Sequence, residues 1–220
     1  MNRAVIFDLD GTLIDSLGDI HAALNDVLQF RNAPPLALAT VRGLIGKGSA
    51  NLVRRALTAQ NLAIDEASCA SALADFLRLY SADSAKLTTI FDGAVDAIGL
   101  LRDAGFRLGI CTNKPLAPTK IVLDQFGLTR FFDTIVGGDQ LASRKPDPAM
   151  LFHAMACLGT TSCLFVGDSE IDRETAAAAG QPFALFTKGY RTSSIEILNP
   201  EYYFNEYSEL TNIVNLNIRN

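Results

Sequence analysis

The 220-residue chain contains 49% hydrophobic and 20% charged residues, a balance typical of a globular protein with a substantial core. A chain of this length needs neither disulfides nor a metal merely to stay folded. Its 24 acidic and 19 basic side chains give a formal net charge of −5. This charge argues against a nucleic-acid partner, since such binding requires a basic surface, but it leaves room for a small anionic ligand bound by a few local cations.

The cysteines and the N-terminal segment predict a cytoplasmic location. Cys69, Cys111, Cys157 and Cys163 lack CxxC spacing, so they indicate neither a zinc site nor a redox motif, and such thiols are typical of a reducing compartment. The apolar run at residues 4–7 is too short for a signal peptide. No apolar stretch reaches the about 18 residues that span a bilayer, so we expect no membrane association.

Five short apolar runs predict buried β-strands, at residues 4–7, 107–111, 134–137, 163–167 and 183–186. Helical patterns lie between them, and the connections are short. This alternation predicts an α/β fold with a doubly wound, Rossmann-like parallel sheet. The tail from Asn199 is rich in Asn and Tyr, and we expect Leu210 and Val214 in it to cover the core.

Residues 16–85 interrupt this alternation, because they contain four helical patterns and no strand candidate. Ser16 and Asp19 predict a capping box at the start of the first of these helices. We therefore expect an α-helical domain at residues 16–85, inserted into a core domain formed by residues 1–15 and 86–220. Asp15, at the first linker, is either a hinge or simply a residue at the helix start.

Polar residues follow the carboxyl ends of several predicted strands, where open α/β sheets bind their ligands. They are Asp8, Asp10, Thr112, Asn113, Lys145, Asp168 and Asp172. Side chains from separate segments can therefore converge on one crevice.

The chemistry of these residues points to phosphoryl transfer. Asp8 and Asp10 flank a single residue and repel each other unless a cation lies between them. With Asp168 and Asp172 they form an all-oxygen set suited to Mg²⁺. The Thr112 hydroxyl, the backbone N–H groups that follow it at Asn113, and the Lys145 ammonium are groups that bind phosphate. These are the components of a phosphoryl-transfer site.

A carboxylate of this set can act as a nucleophile. An ionised Asp needs no base, only the cancellation of the charge on the phosphate by Mg²⁺ and Lys145. Attack on phosphorus gives an aspartyl-phosphate, which water then hydrolyses. A second Asp can protonate the leaving oxygen and later deprotonate that water.

Four segments carry a resemblance to a known family, and they occur in its order. FDLDGTLIDS (residues 7–16), CTNK (111–114), KPDP (145–148) and VGDSEID (166–172) resemble the four motifs of the haloacid dehalogenase-like hydrolases. The helical insertion stands where that family has its C1-type cap. The resemblance thus implies a capped, Mg²⁺-dependent hydrolase acting on a small phosphorylated metabolite.

The resemblance also assigns roles to individual residues. It implies that Asp8 is the nucleophile and Asp10 the general acid and base, and that Thr112 and Lys145 bind the phosphoryl group. Mg²⁺ would be held by the Asp8 side chain, the Asp10 backbone carbonyl and Asp168. Asp172 would support these ligands, and Asn113 is grouped with the phosphate-binding residues.

Within the family, the phosphoglycolate phosphatase group is the most similar. VRGLIGKGS (residues 41–49) is similar to that group's cap loop, and TKGY (187–190) is similar to its Gly-Tyr loop. This implies phosphoglycolate as the substrate. Lys47 and Arg42 are candidates for contacting a substrate carboxylate, although Lys47 can equally be an ordinary exposed lysine.

Several alternatives stay open at this stage. A β-phosphoglucomutase-like phosphotransferase keeps both carboxylates of the first motif, and sugar-phosphate or nucleotide phosphatases share the same motifs. A haloacid dehalogenase and a phosphonoacetaldehyde hydrolase are disfavoured, since each lacks the carboxylate found here at Asp10. A phosphoacceptor domain or a regulatory pseudoenzyme is a further alternative, which belongs to a different functional class. We expect a monomer or a homodimer.

Overall fold

The computed structural model of the chain describes residues 3–82 and 85–217. The β-strands β1–β8 are Ala4–Phe7, Ile14–Asp15, Thr89–Ile90, Arg107–Cys111, Thr134–Val136, Leu164–Gly167, Phe183–Phe186 and Tyr202–Phe204. The α-helices α1–α10 are Leu17–Gln29, Leu38–Arg42, Ser49–Ala59, Glu66–Ala82, Ala94–Asp103, Leu116–Gln125, Ala149–Cys157, Glu170–Ala179, Ile195–Leu198 and Tyr207–Asn217. No helix in these ranges is long and apolar enough to cross a membrane.

The main sheet has six strands in the order β5-β4-β1-β6-β7-β8, and every pair of neighbours runs parallel. The predicted parallel α/β sheet is thus confirmed. The first strand in the sequence, β1, lies between β4 and β6, with Phe7 opposite Ile110 on one side and Val166 on the other. Segments far apart in the sequence therefore end side by side at the same edge.

The strand β1 is buried on both of its faces, which explains its uninterrupted apolar sequence. Val5 and Phe7 belong to one hydrophobic cluster, together with residues of α5 and α10. Ala4 and Ile6 point the other way, into a cluster with residues of α7 and α8. The alternation follows from the two-residue period of a strand. The strand that precedes Asp8 is therefore packed between two layers of helices.

The inserted segment α1–α4 packs around a hydrophobic cluster of its own. Buried side chains from all four helices form this cluster, and Tyr190 from the loop after β7 joins it. At the two crossings between this segment and the sheet, the two-residue strands β2 and β3 pair antiparallel, with Ile14 opposite Ile90. The sequence did not predict these strands, because two residues are too few to show a periodic pattern.

The predicted capping box at the start of α1 is wrong, because both of its side chains have partners elsewhere. The Ser16 hydroxyl donates to Asp10 Oδ1 at 2.6 Å and does not cap the helix. The Asp19 carboxylate instead accepts from the backbone N–H groups of Leu87, at 2.9 Å, and Thr88, at 2.8 Å. These more distant contacts tie the start of α1 to the site and to the second crossing.

The C-terminal segment contributes a sixth strand that the sequence did not predict. The strand β8 pairs with β7, Phe204 lying opposite Phe186, and only its three consecutive aromatic residues gave a β signal. The helix α10 then packs on the sheet, and its Leu210 and Val214 are buried as expected. These two side chains thus belong to the hydrophobic cluster on this face of the sheet.

The side chain of Tyr207, at the start of α10, links this tail to the loop after β1. Its ring centroid lies 5.1 Å from that of Phe186 and 5.3 Å from that of Phe204. Its hydroxyl donates to the backbone carbonyl of Thr12. Because Thr12 and Tyr207 are both fully buried, no water molecule can replace the phenol as the donor to this carbonyl.

We expect Tyr207→Phe to lower the free energy of unfolding by about 1–3 kcal/mol, because the buried Thr12 carbonyl loses its donor while the ring packing is kept. Urea unfolding followed by circular dichroism measures the change. Tyr203→Phe is the matched control, since Tyr203 is exposed. Equal stability of the Tyr207→Phe variant and the wild type would contradict a structural role for this hydroxyl.

Candidate active site

The predicted polar residues meet at the carboxyl edge of the three central strands. Asp8, Thr112 and Asp168 each follow the last residue of β1, β4 and β6. The strand pairing continues into two of them, since Asp8 N–H donates to Val166 O at 2.9 Å and Thr112 N–H donates to Val136 O at 3.0 Å. The sheet backbone thereby fixes where these side chains begin.

A buried ammonium, that of Lys145, joins two of the acidic residues. Its Nζ lies 3.0 Å from Asp8 Oδ1 and 2.6 Å from Asp172 Oδ1, and its side chain is 1% exposed. Burial alone lowers the pKa of Lys145, but the carboxylates of Asp172 and Asp8 more than offset this effect. The pKa of Lys145 therefore lies above the ordinary value for lysine. Lys145 therefore keeps its positive charge in this buried position.

The backbone of Lys145 is held by the side chain of Asn113. Asn113 Oδ1 accepts from Lys145 N–H at 3.0 Å, and Asn113 Nδ2 donates to Lys145 O at 3.0 Å. The same Nδ2 donates to Gly46 O at 2.9 Å, in the loop between α2 and α3. The Asn113 amide is therefore occupied by main-chain partners, whereas the sequence grouped this residue with the phosphate-binding side chains.

Asp172 is completely buried, and protein donors occupy both of its oxygens. Oδ1 accepts from Lys145 Nζ, while Oδ2 accepts from the Ser169 hydroxyl at 2.6 Å and from the backbone N–H of Asp168 at 3.2 Å. Ser169 and Asp172 form a capping box at the start of α8. Asp172 thus holds Lys145 and the start of the helix in place.

Asp168 is oriented by neutral donors and by closely packed glycines. Its Oδ1 accepts from Thr12 Oγ1 at 2.8 Å and its Oδ2 from Tyr190 N–H at 2.6 Å. Gly11 has a φ of +87°, and a Cβ there would lie 2.5 Å from Asp168 Oδ2. A Cβ at Gly189 would lie 2.2 Å from Asp168 Cβ. Both positions therefore require glycine for the carboxylate to sit where it does.

Asp8, Asp168 and Asp172 form an acidic cluster that could hold a metal ion. One carboxylate oxygen from each lies within 4.8 Å of the others. Burial raises the pKa of Asp8 to about 6, with Lys145 opposing and Asp172 adding to the effect. Burial and the neighbouring carboxylates also raise the pKa of Asp168 well above its ordinary value. A cation in the cluster would relieve the repulsion between these carboxylates.

The Asp10 side chain belongs to a different set of contacts from the acidic cluster. Besides the Ser16 hydroxyl, it accepts from Lys114 Nζ, at 2.9 Å to Oδ1 and 3.2 Å to Oδ2. Lys114 also donates to the hydroxyl of Tyr80, on α4. The expected metal contact of Asp10 involves its backbone carbonyl and stays a prediction.

Lys114 is a residue of the site that sequence reasoning missed. It lies directly after Thr112 and Asn113, and its N–H donates to Thr112 Oγ1 at 3.3 Å. Its side chain is 4% exposed. The available signal was a third polar residue in the second motif, but a lysine is usually exposed, and only the packing of α4 against the loop buries this one.

The two residues expected to select the substrate lie at exposed positions. Arg42 donates to the backbone carbonyl of Gly189, and its guanidinium carbon lies 5.9 Å from the centre of the Tyr190 ring. Lys47 lines a second cleft, which Asp8, Asp10 and Glu170 also line. Neither has a described contact with Asp8 or Asp10, so their role in selectivity stays a prediction.

A cleft lies between the inserted helices and the ends of the strands. Asp8, Asp10 and Thr112 line it from the strand ends, and Phe76 and Tyr80 line it from α4. Asp8 and Asp10, the two carboxylates predicted to carry out the reaction, therefore face this cleft.

Comparisons with known proteins agree with this geometry. Residues 2–180 match the family model of the haloacid dehalogenase-like hydrolases. The chain belongs to this family. The match confirms the resemblance seen in the four motifs, and it covers the strands that carry Asp8, Thr112 and Asp168.

Individual relatives of this hydrolase cover nearly its whole length. A phosphoglycolate phosphatase of Cereibacter sphaeroides (strain ATCC 17029) is 45% identical over 210 residues, covering 96% of each chain. One from Rhodobacter capsulatus is 40% identical over 214 residues, covering 97% of each. A crystal structure of a predicted phosphoglycolate phosphatase from Haemophilus somnus 129PT superposes with a TM-score of 0.89 at 27% identity, covering 96% of this chain and 97% of that one.

We expect Asn113→Ala to lower the free energy of unfolding by about 1–3 kcal/mol, because the buried N–H of Lys145 loses its acceptor. Urea unfolding measures this change. The same variant should bind inorganic phosphate more weakly in calorimetry, since the amide no longer fixes the backbone of Lys145.

Asn212→Ala, at an exposed position on α10, is the matched control and should change stability by no more than about 0.5 kcal/mol. If Asn113→Ala behaved like this control in both measurements, Asn113 would not be holding Lys145.

Proposed function

We propose that this hydrolase is a Mg²⁺-dependent phosphatase that cleaves phosphoglycolate through an aspartyl-phosphate at Asp8. The carrying observation is the position of the Asp8 carboxylate, at the end of β1 in the cleft and 3.0 Å from the buried Lys145 ammonium. The substrate comes from the relatives of 40–45% identity, which are named phosphoglycolate phosphatases.

The arrangement of the side chains supports a division of labour. Asp8 attacks the phosphorus atom, and the permanent charge of Lys145 offsets the repulsion between the carboxylate and the phosphate. The Thr112 hydroxyl accepts a hydrogen bond from the following loop, which leaves its proton to donate to a phosphate oxygen. Asp10, across one residue from Asp8, protonates the leaving oxygen and later activates the water that hydrolyses the aspartyl-phosphate.

The acidic cluster fits Mg²⁺, because it is built only of carboxylate oxygens and its buried charges lack a sufficient counterion. Asp8 and Asp168 are the side chains that would hold the ion. Asp172 would act through Lys145 and Ser169, since protein donors occupy its oxygens. When bound, the ion supplies positive charge that neutralises the phosphate.

We also propose that residues 16–85 act as a cap on a core domain of residues 1–15 and 86–220. Two features support this: the helices α1–α4 have their own hydrophobic cluster, and the chain enters and leaves them at the β2–β3 pair. Asp15 accepts a hydrogen bond from Tyr190 Oη at 2.8 Å, which gives the first crossing a specific contact with the core.

We expect the wild type to release phosphate from p-nitrophenyl phosphate with Mg²⁺ and to lose this activity in excess EDTA. Asp8→Asn should lower kcat by at least about 10³-fold, because the amide is not a nucleophile. Asp103→Asn removes a carboxylate at an exposed position and serves as the control. A fully active Asp8→Asn variant would exclude the aspartyl-phosphate mechanism.

The substrate is tested with a panel of phosphoglycolate, sugar phosphates, nucleotides and pyrophosphate, measured as kcat/KM. We expect the highest value for phosphoglycolate. A higher value for a hexose phosphate, or conversion of that ester to its isomer, would favour the β-phosphoglucomutase-like alternative. Equal values across the panel would refute the phosphoglycolate assignment and leave a general phosphatase.

A further inference from the structure

The cleft contains a buried cation, Lys114, for which the proposed reaction has no use. Its Nζ donates to both oxygens of Asp10 and to the hydroxyl of Tyr80, and lies 4.5 Å from the centre of the Tyr80 ring. Burying an ammonium is costly unless an anion or strong acceptor accompanies it. Asp10 is that anion in this structure, so a reaction step that takes Asp10 away from Lys114 leaves a buried charge that another anion has to neutralise.

The wall around Lys114 is mostly apolar on the side of the inserted helices, where Ser49 and the Tyr80 hydroxyl are the polar groups of the described lining. Ile20, Leu52 and Phe76 line it, together with Ile45 from the loop before α3. Among the described residues that line this cleft, Lys114 is the one cationic side chain. An anionic leaving group placed in this space would have Lys114 as its counterion.

The other candidate cations are less suited to a small anion. Arg42 is exposed and already donates to the Gly189 carbonyl. Lys47 is exposed, and the cleft that it lines with Asp8 and Asp10 also contains Glu170 and Glu174, which repel a second carboxylate. Solvent exposure also weakens any ion pair that these side chains could form.

We propose that Lys114, assisted by the Tyr80 hydroxyl, binds the carboxylate of the substrate's leaving group, an inference that rests on the proposed hydrolysis of phosphoglycolate. In that molecule one methylene group separates the carboxylate from the ester oxygen. Lys114 touches Asp10, the residue proposed to protonate this oxygen, so it lies beside the place where the carboxylate must be.

The exchange of partners keeps the buried charge paired. When the Asp10 carboxyl group turns to the ester oxygen, the substrate carboxylate takes its place on Lys114 Nζ. Because Lys114 supplies the proton that the Tyr80 oxygen accepts, the phenol proton is available to the same carboxylate. A leaving group without an anion would leave Lys114 uncompensated, which gives the site a physical basis for selectivity.

Two unreactive phosphonates test the subsite without turnover. Phosphonopropionate replaces the ester oxygen of phosphoglycolate with a methylene group, and propylphosphonate also replaces the carboxylate with a methyl group. We expect the wild type, with Mg²⁺ in calorimetry, to bind phosphonopropionate more tightly. Lys114→Met should reduce this preference roughly 10- to 150-fold, as for the loss of a hydrogen bond to a charged group, and leave propylphosphonate binding nearly unchanged.

Two further variants complete the test. Lys120→Met removes a lysine from an exposed position on α6 and should keep the full preference. Tyr80→Phe keeps the ring stacked on Phe76, at a centroid distance of 5.6 Å, and should reduce the preference roughly 2- to 12-fold. If circular dichroism shows that Lys114→Met is unfolded, Tyr80→Phe decides the question.

Three results would overturn the inference. The first is an unchanged preference for phosphonopropionate in both Lys114→Met and Tyr80→Phe. The second is an equal loss of affinity for both phosphonates in Lys114→Met, which would mean that Lys114 only positions Asp10. The third is a loss of the preference in Lys47→Met instead of Lys114→Met. The substrate panel is read separately. A wild type that prefers phosphonopropionate through Lys114 but does not favour phosphoglycolate would refute the proposed substrate and keep the carboxylate subsite.

Discussion

The arrangement of the site depends on one buried ionic cluster, in which the Lys145 ammonium pairs with the carboxylates of both Asp8 and Asp172. It joins the end of β1, the loop before α7 and the start of α8. Removing one partner of such a pair typically costs 3–5 kcal/mol, because an uncompensated charge stays behind. Asn113 fixes the backbone of Lys145, and the Ser169 hydroxyl fixes the Asp172 carboxylate. The surrounding polar contacts thus hold the charged groups of this cluster in position.

Each acidic residue of the site has a different kind of partner, and this separates their chemistry. The Asp10 side chain is paired with Lys114, whereas Asp8 and Asp172 share Lys145. The described donors to Asp168 are a hydroxyl and a backbone N–H, neither of which carries a charge. Negative charge is therefore least compensated between Asp8 and Asp168, where a metal ion would relieve the most repulsion.

Much of the fold and of the site could be predicted from sequence, because the strands are apolar runs and their polar residues follow directly. The acidic residues and Lys145 were found in this way. What escaped prediction depends on long-range packing: Lys114 becomes a buried cation only because Tyr80, on α4, covers it, and Ser16 prefers Asp10 to its own helix. The strand β8 was missed because three residues carry too little pattern, although its partner β7 was found.

The contact between Tyr207 and the Thr12 carbonyl has a consequence for biosynthesis. The strand β1 leaves the ribosome first, yet both of its neighbours, β4 and β6, are made much later, and Tyr207 later still. Such contacts between distant parts of a chain slow folding. The nascent polypeptide therefore carries Asp8, the proposed nucleophile, long before the surrounding pocket exists, and the loop after β1 gains its contact with Tyr207 only when α10 has been translated.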